Sequence, residues 1–331
     1  MNSAAIYGVG SYVPRKTLTN EDFTKTLDTS DEWITTRTGI KERRIAAPEQ
    51  ATSDLCLHAA RAALKDGGVA AHDLDLIIVG TITPDHPTPS AACLLQQKLG
   101  LGGKPFGVFD ISAACSGFLY ALATGTAYIA SGMAARVLVV GAETLSRMVD
   151  WTDRRTCILF GDGAGAVVLG PPRADGPSHT VLSTRLFADG QQSKLISIPA
   201  GGSALPATHA TCDDKLHCIR LDGREVYRFG VTKAVEMIKE AMARHNLRPE
   251  DLGAIIPHQA NMRIIEAAIE RLALPPELFI TNMRHYGNCS SASVPLALDE
   301  AHRAGRLPQG KPVIMLGFGA GMTWASAVVQ W

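Results

Sequence analysis

The sequence predicts an α/β protein in which two similar halves lay mixed, mostly parallel sheets against shared buried helices. Three observations carry this reading. Strand-like runs alternate with helical ones along the chain, the pattern of α/β layers. The runs LIIV (76–79), VLVV (137–140) and VIML (313–316) are apolar at every position, as strands covered on both faces are. Segments of the first half also recur, in the same order, in the second.

The recurrence is readable segment by segment. RAALKDGGVAAHDLDLIIVG (61–80) aligns with KEAMARHNLRPEDLGAIIPH (239–258), each a helical pattern, a short turn, an Asp-Leu pair and a β-branched run. CSGFLYAL (115–122) aligns with CSSASVPLAL (289–298), VLVVGA (137–142) with VIMLGF (313–318), and GAVVL (165–169) with SAVVQ (326–330). The stretch GPPRADGP places the join near Gly170–Pro177, dividing the chain into 1–172 and 173–331.

From the N-terminus on, MNSAAIYGVG has no basic segment followed by an apolar block, so no signal peptide is expected. Ile111 to Ala135 carries no charge and is long enough to span a bilayer. It is rich in Gly, Ser, Ala and Thr, however, which predicts a helix with protein on all sides. Lys plus Arg equals Asp plus Glu, at 32 each in 331 residues, which argues against an extended nucleic-acid or membrane-surface footprint. The seven cysteines are scattered, odd in number and without a CxxC pair. Reduced thiols in a cytoplasmic protein, with no metal site, are the expectation.

Cys115 follows FGVFDISAA, a strand and a tight turn, and should sit at a helix N-terminus. There it is either a small core residue or a nucleophile whose thiol, ordinarily near pKa ~8.5, is acidified by the helix dipole. His258 stands directly after an apolar strand, where the repeat places Gly80 in the first half. Asn288 falls, within a residue or so, in the slot that Cys115 occupies in its own half. The repeat therefore predicts Cys115, His258 and Asn288 at strand ends on one side of the sheets. Cys289 would also start a helix, so the same dipole argument leaves it open as an alternative nucleophile. His285 and His86 read as loop residues.

The glycine runs GVGSYVP (8–14), FGDGAGA (160–166) and GFGAG (317–321) lack the spacing of phosphate-binding loops. They suit close backbone approach or tight turns. TSDEWITTRTGIKERRI (29–45) interleaves Trp33 with Arg37, Lys41, Arg43 and Arg44. With Trp151, Arg154, Arg155 and Arg263 it would make a rim for an anionic, nucleotide-bearing substrate.

At this point the motifs TSDEWITTRTGI, AACSGF, DRRT, FGDGAGA, PHQAN, YGNCSSASVPLALDEA and GFGAGMTW, spread over nearly the whole chain, make a recognisable set. The chain resembles the β-ketoacyl-acyl carrier protein synthase III family of condensing enzymes. The resemblance implies a thiolase-like duplicated five-layer α-β-α-β-α sandwich, with the nucleophilic Cys in the N-terminal half and His and Asn in the C-terminal half. It implies a homodimer with no permanently bound cofactor, whose substrates are acyl-CoA and malonyl-acyl carrier protein. By position, Cys115 matches the acyl-accepting nucleophile, and His258 and Asn288 the pair that supports decarboxylation. The backbone N–H groups of Cys115 and Ala320 match the oxyanion donors. CoA-side positions fall on Trp33, Arg37, Thr38, Arg154, Tyr227, Asn261 and Arg263, and carrier-protein positions on Arg228, Arg263 and Arg271.

Three departures from the family pattern stand out. Ala320 replaces the middle glycine of a Gly-Gly-Gly run, where positive φ would be costly. Glu270 stands where a basic carrier-protein contact is expected. Thr88 replaces a bulky aromatic that in some members closes the primer pocket from across the dimer. Two other functions stay open: a same-fold enzyme of a specialised pathway, and a cysteine peptidase, in which the order Cys–His–Asn also occurs.

Overall fold

The computed structural model describes residues 3–174 and 178–331. The first half runs through β1 (Ala5–Tyr12), β2 (Lys16–Thr19), α1 (Asn20–Thr24), α2 (Asp31–Thr38), β3 (Glu42–Ile45) and α3 (Thr52–Asp66). It continues with β4 (Leu76–Gly80), α4 (Ala91–Lys98), β5 (Gly107–Ile111), α5 (Gly117–Ala130), β6 (Val137–Thr144) and β7 (Asp162–Gly170). The second half begins with β8 (His179–Ala188), β9 (Ile196–Ser197), α6 (His209–Asp213), β10 (Arg220–Leu221) and α7 (Gly223–Arg244). It ends with β11 (Ala254–Pro257), α8 (Met262–Leu272), α9 (Met283–Tyr286), α10 (Ser293–Arg303), β12 (Pro312–Gly319) and β13 (Thr323–Gln330).

Nine strands form one mixed sheet in the order β11-β12-β13-β8-β1-β7-β6-β4-β5. Its two parts join through β1 and β8, where only Ala5–Thr180 and Ile6–His179 pair. Side-chain alternation then sorts the strands into layers. In β4, Ile78 joins a core shared with α5 and α10, while its neighbour Ile77 joins the core under α3 and α4. In β11, Ile256 faces the shared core and Ile255 the one under α7 and α8. The result is five layers: α3 and α4, a sheet, α5 and α10, a sheet, α7 and α8. Apolar runs without alternation are thus explained by helices on both faces.

The expectation of mostly parallel pairing does not hold. Among the described strands of the large sheet, β4–β5, β4–β6 and β11–β12 pair in parallel. The other five pairings of the large sheet are antiparallel. Each half ends with a return strand, β7 or β13, laid antiparallel beside β6 or β12, and this reverses the balance.

The repeat is sharper in the backbone than in the residues. Strand β6 answers to β12, β7 to β13, and β4 to β11. A single-turn 3-10 helix precedes α5 at Ala114–Ser116 and α10 at Ser290–Ala292. Each begins on a non-glycine residue in the left-handed region, Ala114 at φ 45° and Ser290 at φ 46°. This match pairs Cys115 with Ser291, so Asn288 answers to Ser112 and not to Cys115. Aligning the two Cys-Ser pairs shifts the register, because the identity of Cys115-Ser116 and Cys289-Ser290 is not an identity of backbone position.

The uncharged run 111–135 divides into the end of β5, the turn and α5, whose Phe118, Leu119, Leu122 and Ile129 are buried. No helix among the described residues is long and apolar enough to cross a membrane. Of the proposed join, Gly170 ends β7, and Asp175–Pro177 lie outside the described residues. Two of the glycine runs serve packing: a Cβ on Gly10 would meet α3 backbone at 2.2 Å, and one on Gly165 would meet Pro295 of α10 at 2.6 Å.

One such contact positions the helix that follows Cys115. A Cβ on Gly80, at the end of β4, would lie 2.5 Å from the Gly117 carbonyl carbon, a backbone atom that cannot swing away. Gly80→Ala is therefore expected to lower unfolding stability by about 1–3 kcal/mol, read as a lower urea midpoint at unchanged slope.

Candidate functional site

A cavity of about 710 Å3 opens where the two halves meet. Cys115, His258 and Asn288 all line it. The carboxyl ends of β5 and β11 deliver the turn at Cys115 and the histidine, the place where open α/β sheets present their sites.

Cys115 lies in the turn ahead of α5, partly exposed to the cavity. Burial pushes its thiol up to about 12, with the buried Glu143 charge adding to the rise and a hydrogen bond with Ser290 opposing it. The N-terminus of α5 acts in the opposing direction, since it favours negative charge at the turn. Gly317 and Gly319 of β12 press against this turn. A Cβ on Gly319 would lie 2.7 Å from the Cys115 nitrogen and 3.1 Å from its sulfur. The positive φ of the GFGAG loop falls on Gly321, at 123°, and Ala320 is not among the positive-φ residues. The departure at Ala320 is accommodated without backbone strain.

His258 is buried, its backbone N–H donating to the Leu316 carbonyl of β12 and its ring set edgewise on Phe318. Burial lowers its pKa to about 3, so the imidazole is neutral. Nδ1 is enclosed without a partner. An orphaned acceptor costs less than an orphaned N–H, which favours the proton on Nε2, the edge left to the cavity. Asn288 is fixed by the Ser290 backbone N–H, which donates to Oδ1 at 2.8 Å. The amide NH2 is the end left for the cavity.

Cys289 is not an alternative. It is buried, its sulfur faces the Tyr286 carbonyl, and burial raises its thiol well above the ordinary value. All seven cysteines are unpaired. His285, expected in a loop, lies in the short helix α9 near Glu42, and His86 lies in the loop after β4.

Of the rim residues, Trp33, Arg37, Thr38, Tyr227, Asn261 and Arg155 line the cavity. The Arg37 and Arg154 guanidinium carbons stand 4.4 and 5.1 Å from the Trp33 ring centre, and Arg263 lies over Tyr227. Asn261 caps α8 and donates to the Arg37 carbonyl at 3.0 Å, tying α2 to α8. The polar run 29–45 is otherwise structural. Arg43 is fully buried, donating to Asn20 and the Ile158 carbonyl over the Phe23 ring. Lys41 pairs with Asp31, and Arg44 packs on Tyr286. Trp151 stacks on Phe23 and does not line the cavity. Arg228 and Arg271 are exposed on α7 and α8, Arg228 beside Glu225. Thr88 is exposed and does not line the cavity of its own chain.

Sequence reasoning missed three features. The cavity wall is largely apolar, including Ile82, Leu145, Ile158, Phe160 and Ile198. Arg155, Lys194 and Arg220 flank an adjoining groove of about 570 Å3. Glu143, at the end of β6, is fully buried and accepts from the Ile82 N–H and from the hydroxyls of Thr81, Thr83 and Ser290. A carboxylate in an apolar strand was a readable signal, since buried charges are rare unless satisfied.

Comparison with known proteins gives a consistent result. The family model of 3-oxoacyl-[acyl-carrier-protein] synthase III matches residues 109–190, and that of its C-terminal part matches residues 242–331. The chain is 51% identical to the β-ketoacyl-[acyl-carrier-protein] synthase III of Caldanaerobacter subterraneus subsp. tengcongensis, over 99% of this chain and 98% of that one. It is 50% identical to the enzyme of the same name from Xanthomonas campestris pv. campestris, over 98% of each. The crystal structure of 3-oxoacyl-[acyl-carrier-protein] synthase III from Aquifex aeolicus VF5 superposes with a TM-score of 0.89 at 44% identity, covering 99% of this chain and 100% of that one.

Replacing Gly319 by alanine drives a methyl group into the Cys115 turn. Displacements of this order at a reacting group cost about 10²-fold in rate. Gly319→Ala is expected to slow alkylation of Cys115 by iodoacetamide to that degree, followed by peptide mass mapping, with the fold retained.

Proposed function

The chain belongs to the 3-oxoacyl-[acyl-carrier-protein] synthase III family, and on that premise we propose that Cys115, His258 and Asn288 divide its two-stage condensation between them. The reaction joins an acyl-CoA primer to malonyl-acyl carrier protein and starts fatty acid synthesis. Family membership sets the peptidase reading aside. What supports the division of labour is the convergence of the three side chains on one cavity between the halves.

In the first stage the Cys115 thiolate attacks the acyl-CoA thioester, the S–C bond to Cys115 forms, and CoA leaves as its thiolate. The backbone N–H groups of Cys115 and Ala320 stabilise the tetrahedral oxyanion. In the second stage malonyl-acyl carrier protein loses carbon dioxide, leaving an enolate whose charge rests on the thioester oxygen. Two neutral donors meet that oxygen, the His258 N–H and the Asn288 amide. Neutrality matters, because a cationic donor would hold the starting carboxylate as firmly as the developing enolate. The enolate carbon then attacks the acyl-cysteine, giving 3-oxoacyl-acyl carrier protein and freeing the Cys115 thiolate.

Trp33, Arg37, Thr38, Arg154, Tyr227, Asn261 and Arg263 receive CoA at the mouth, where the Trp33 ring with its two arginines offers a stacking face beside positive charge. Arg228, Arg263 and Arg271 face the acidic carrier protein, with Glu270 opposing it. The halves 1–172 and 173–331 each carry one part of the chemistry. A cytoplasmic homodimer completes the reading. The edge strand β5, with Val108, Phe109 and Ile111 only half buried, is an edge that a second copy would cover.

Incubation with a panel of acyl-CoAs, followed by intact-mass analysis, should give one acyl adduct, mapped to Cys115. An adduct elsewhere, or none with any acyl-CoA, overturns the assignment. Malonyl-acyl carrier protein decarboxylation should persist in Cys115→Ala and fall by about 10²–10³ in His258→Ala; the reverse order would sink the division of labour. With Thr88 small, primers longer than two or three carbons should be accepted, and turnover confined to acetyl and propionyl groups would refute that part.

A further inference from the structure

Thr323 opens β13 and lines the cavity without a part in either stage of the condensation. It stands opposite Gly319 in the β12–β13 pairing, so the loop 320–322 is a tight reversal, and Ala320 at its start also lines the cavity. The Thr323 hydroxyl donates to the Ala113 carbonyl at 3.0 Å and to the Ala320 carbonyl at 3.1 Å. The Thr323 carbonyl accepts from the Ser116 hydroxyl at 3.2 Å. Ala113 and Ser116 bracket Cys115, and the Ser116 N–H closes their turn by donating to the same Ala113 carbonyl at 3.0 Å. One residue thus ties both sides of the Cys115 turn to the loop beside it.

We propose that Thr323 is a positioning residue for the acyl-transfer stage, its hydroxyl holding Ala320 in register with the Cys115 turn so that the two backbone N–H groups aim at one oxyanion. The inference rests on the reading of Cys115 as nucleophile and of these two N–H groups as the oxyanion donors. Thr323 itself forms no bond to substrate. A hydroxyl has a single proton, so the two carbonyls share it and are drawn to the same oxygen. Peptide planes are rigid, and only the φ and ψ of Ala320 stand between its carbonyl and its N–H. Anchoring the carbonyl therefore orients the N–H.

The strand alone does not call for this hydroxyl. Valine has the same branched shape and suits a strand equally well. The threonine methyl has a packing role that valine would keep, since a Cβ on Gly321 would lie 3.0 Å from Thr323 Cγ2. What valine lacks is the proton shared by Ala113 and Ala320. Without it the Ala320 carbonyl has no anchor on the Cys115 turn, and an oxyanion donor acts only within about 2.7–3.1 Å of the atom it stabilises. Cys115 keeps its seat in either case. Gly117 still packs on Gly80, Gly319 still abuts Cys115, and Ser116 still donates to the main chain of residue 323. The hydroxyl therefore governs the donors and not the sulfur, unlike Gly319, whose substitution reaches the Cys115 turn directly.

The test compares two reactions of one sulfur in the full chain, both followed by mass. Acylation by an acyl-CoA passes through a tetrahedral oxyanion; alkylation by iodoacetamide displaces iodide and forms none. The acyl-CoA is the one that loads the native chain fastest. In Thr323→Val the single-turnover acylation rate at saturating acyl-CoA should fall by about tenfold or more, the scale of a misplaced oxyanion donor. The half-saturating concentration and the alkylation rate should stay within about twofold of native, since neither reads the oxyanion. Thr323→Ser keeps the hydroxyl and should restore acylation. If Thr323→Val fails to fold, Thr323→Ala takes its place with the same expectations. Native-rate acylation in the variant without a hydroxyl overturns the inference. So does an equal fall in alkylation, which marks a displaced sulfur, or a failure of serine to restore the rate. These outcomes are read against a native chain that does acylate Cys115; a native chain with no adduct there overturns the underlying reading as well.

Discussion

The site depends on two left-handed turns held against each other between the halves. Ala114 and Ser290 each adopt a backbone conformation that costs an L-residue of order 1–3 kcal/mol. Each turn is fixed by what surrounds it. Gly80 lets Gly117 approach β4, Gly141 lets the Ser291 carbonyl approach β6, and Gly319 lets β12 close on Cys115. Side chains at any of the three would separate the turns. The hydroxyl of Ser291, donating to the Gly80 carbonyl at 2.7 Å, draws the second turn onto the strand that supports the first. The strain is thus offset in part by contacts between the halves, Gly141 against Ser291 and Gly319 against Cys115.

A second constraint follows from this enclosure. A site this deep tolerates little net charge, and its groups divide accordingly. His258 and the Asn288 amide are neutral donors, and Cys56 and Cys289 remain protonated. Glu143, a fully buried carboxylate, is surrounded by donors and not by a cation. The cationic groups are kept at the mouth, where Arg37, Arg154, Arg155 and Arg263 are wholly or partly in solvent. On the proposed division of labour, substrate anchoring at the rim and neutral stabilisation at the reacting atoms are separated in space, which keeps the arginines away from a starting carboxylate that must be lost.

The sequence carried the layered architecture and the convergence of Cys115, His258 and Asn288, because both rest on periodicity and repetition. It misjudged strand direction, since a strand covered on both faces reads the same whichever way it runs. It misjudged the register between Asn288 and Cys115, because the shared Cys-Ser pair outweighed a backbone equivalence that leaves no mark in residue type. Arg43 reads as one more exposed arginine in a basic run, yet it is fully enclosed; only three-dimensional contacts with Asn20 and the Ile158 carbonyl show why burial is tolerated. Glu143 was visible as an anomaly in VLVVGAET, but two of its donors, Ser290 and Ser291, come from far away in the chain.

Chemistry and access come from different parts of the chain. Each half has an insertion directly after its first strand: residues 13–51 after β1 and residues 189–222 after β8. The first brings β2, α1, α2 and β3; the second brings β9, α6 and β10. Trp33, Arg37 and Thr38 enter the cavity from the first, and Ile196, Ile198, Ile219 and Leu221 from the second. The repeated core supplies Cys115, His258, Asn288 and Ser290 to the same cavity. Length or composition changes in the two insertions alter the shape of the mouth and the apolar wall while leaving the paired turns intact. The mouth is thus shaped largely by segments outside the repeated core, while the core itself contributes Ile82, Leu145, Ile158 and Phe160 to the apolar wall.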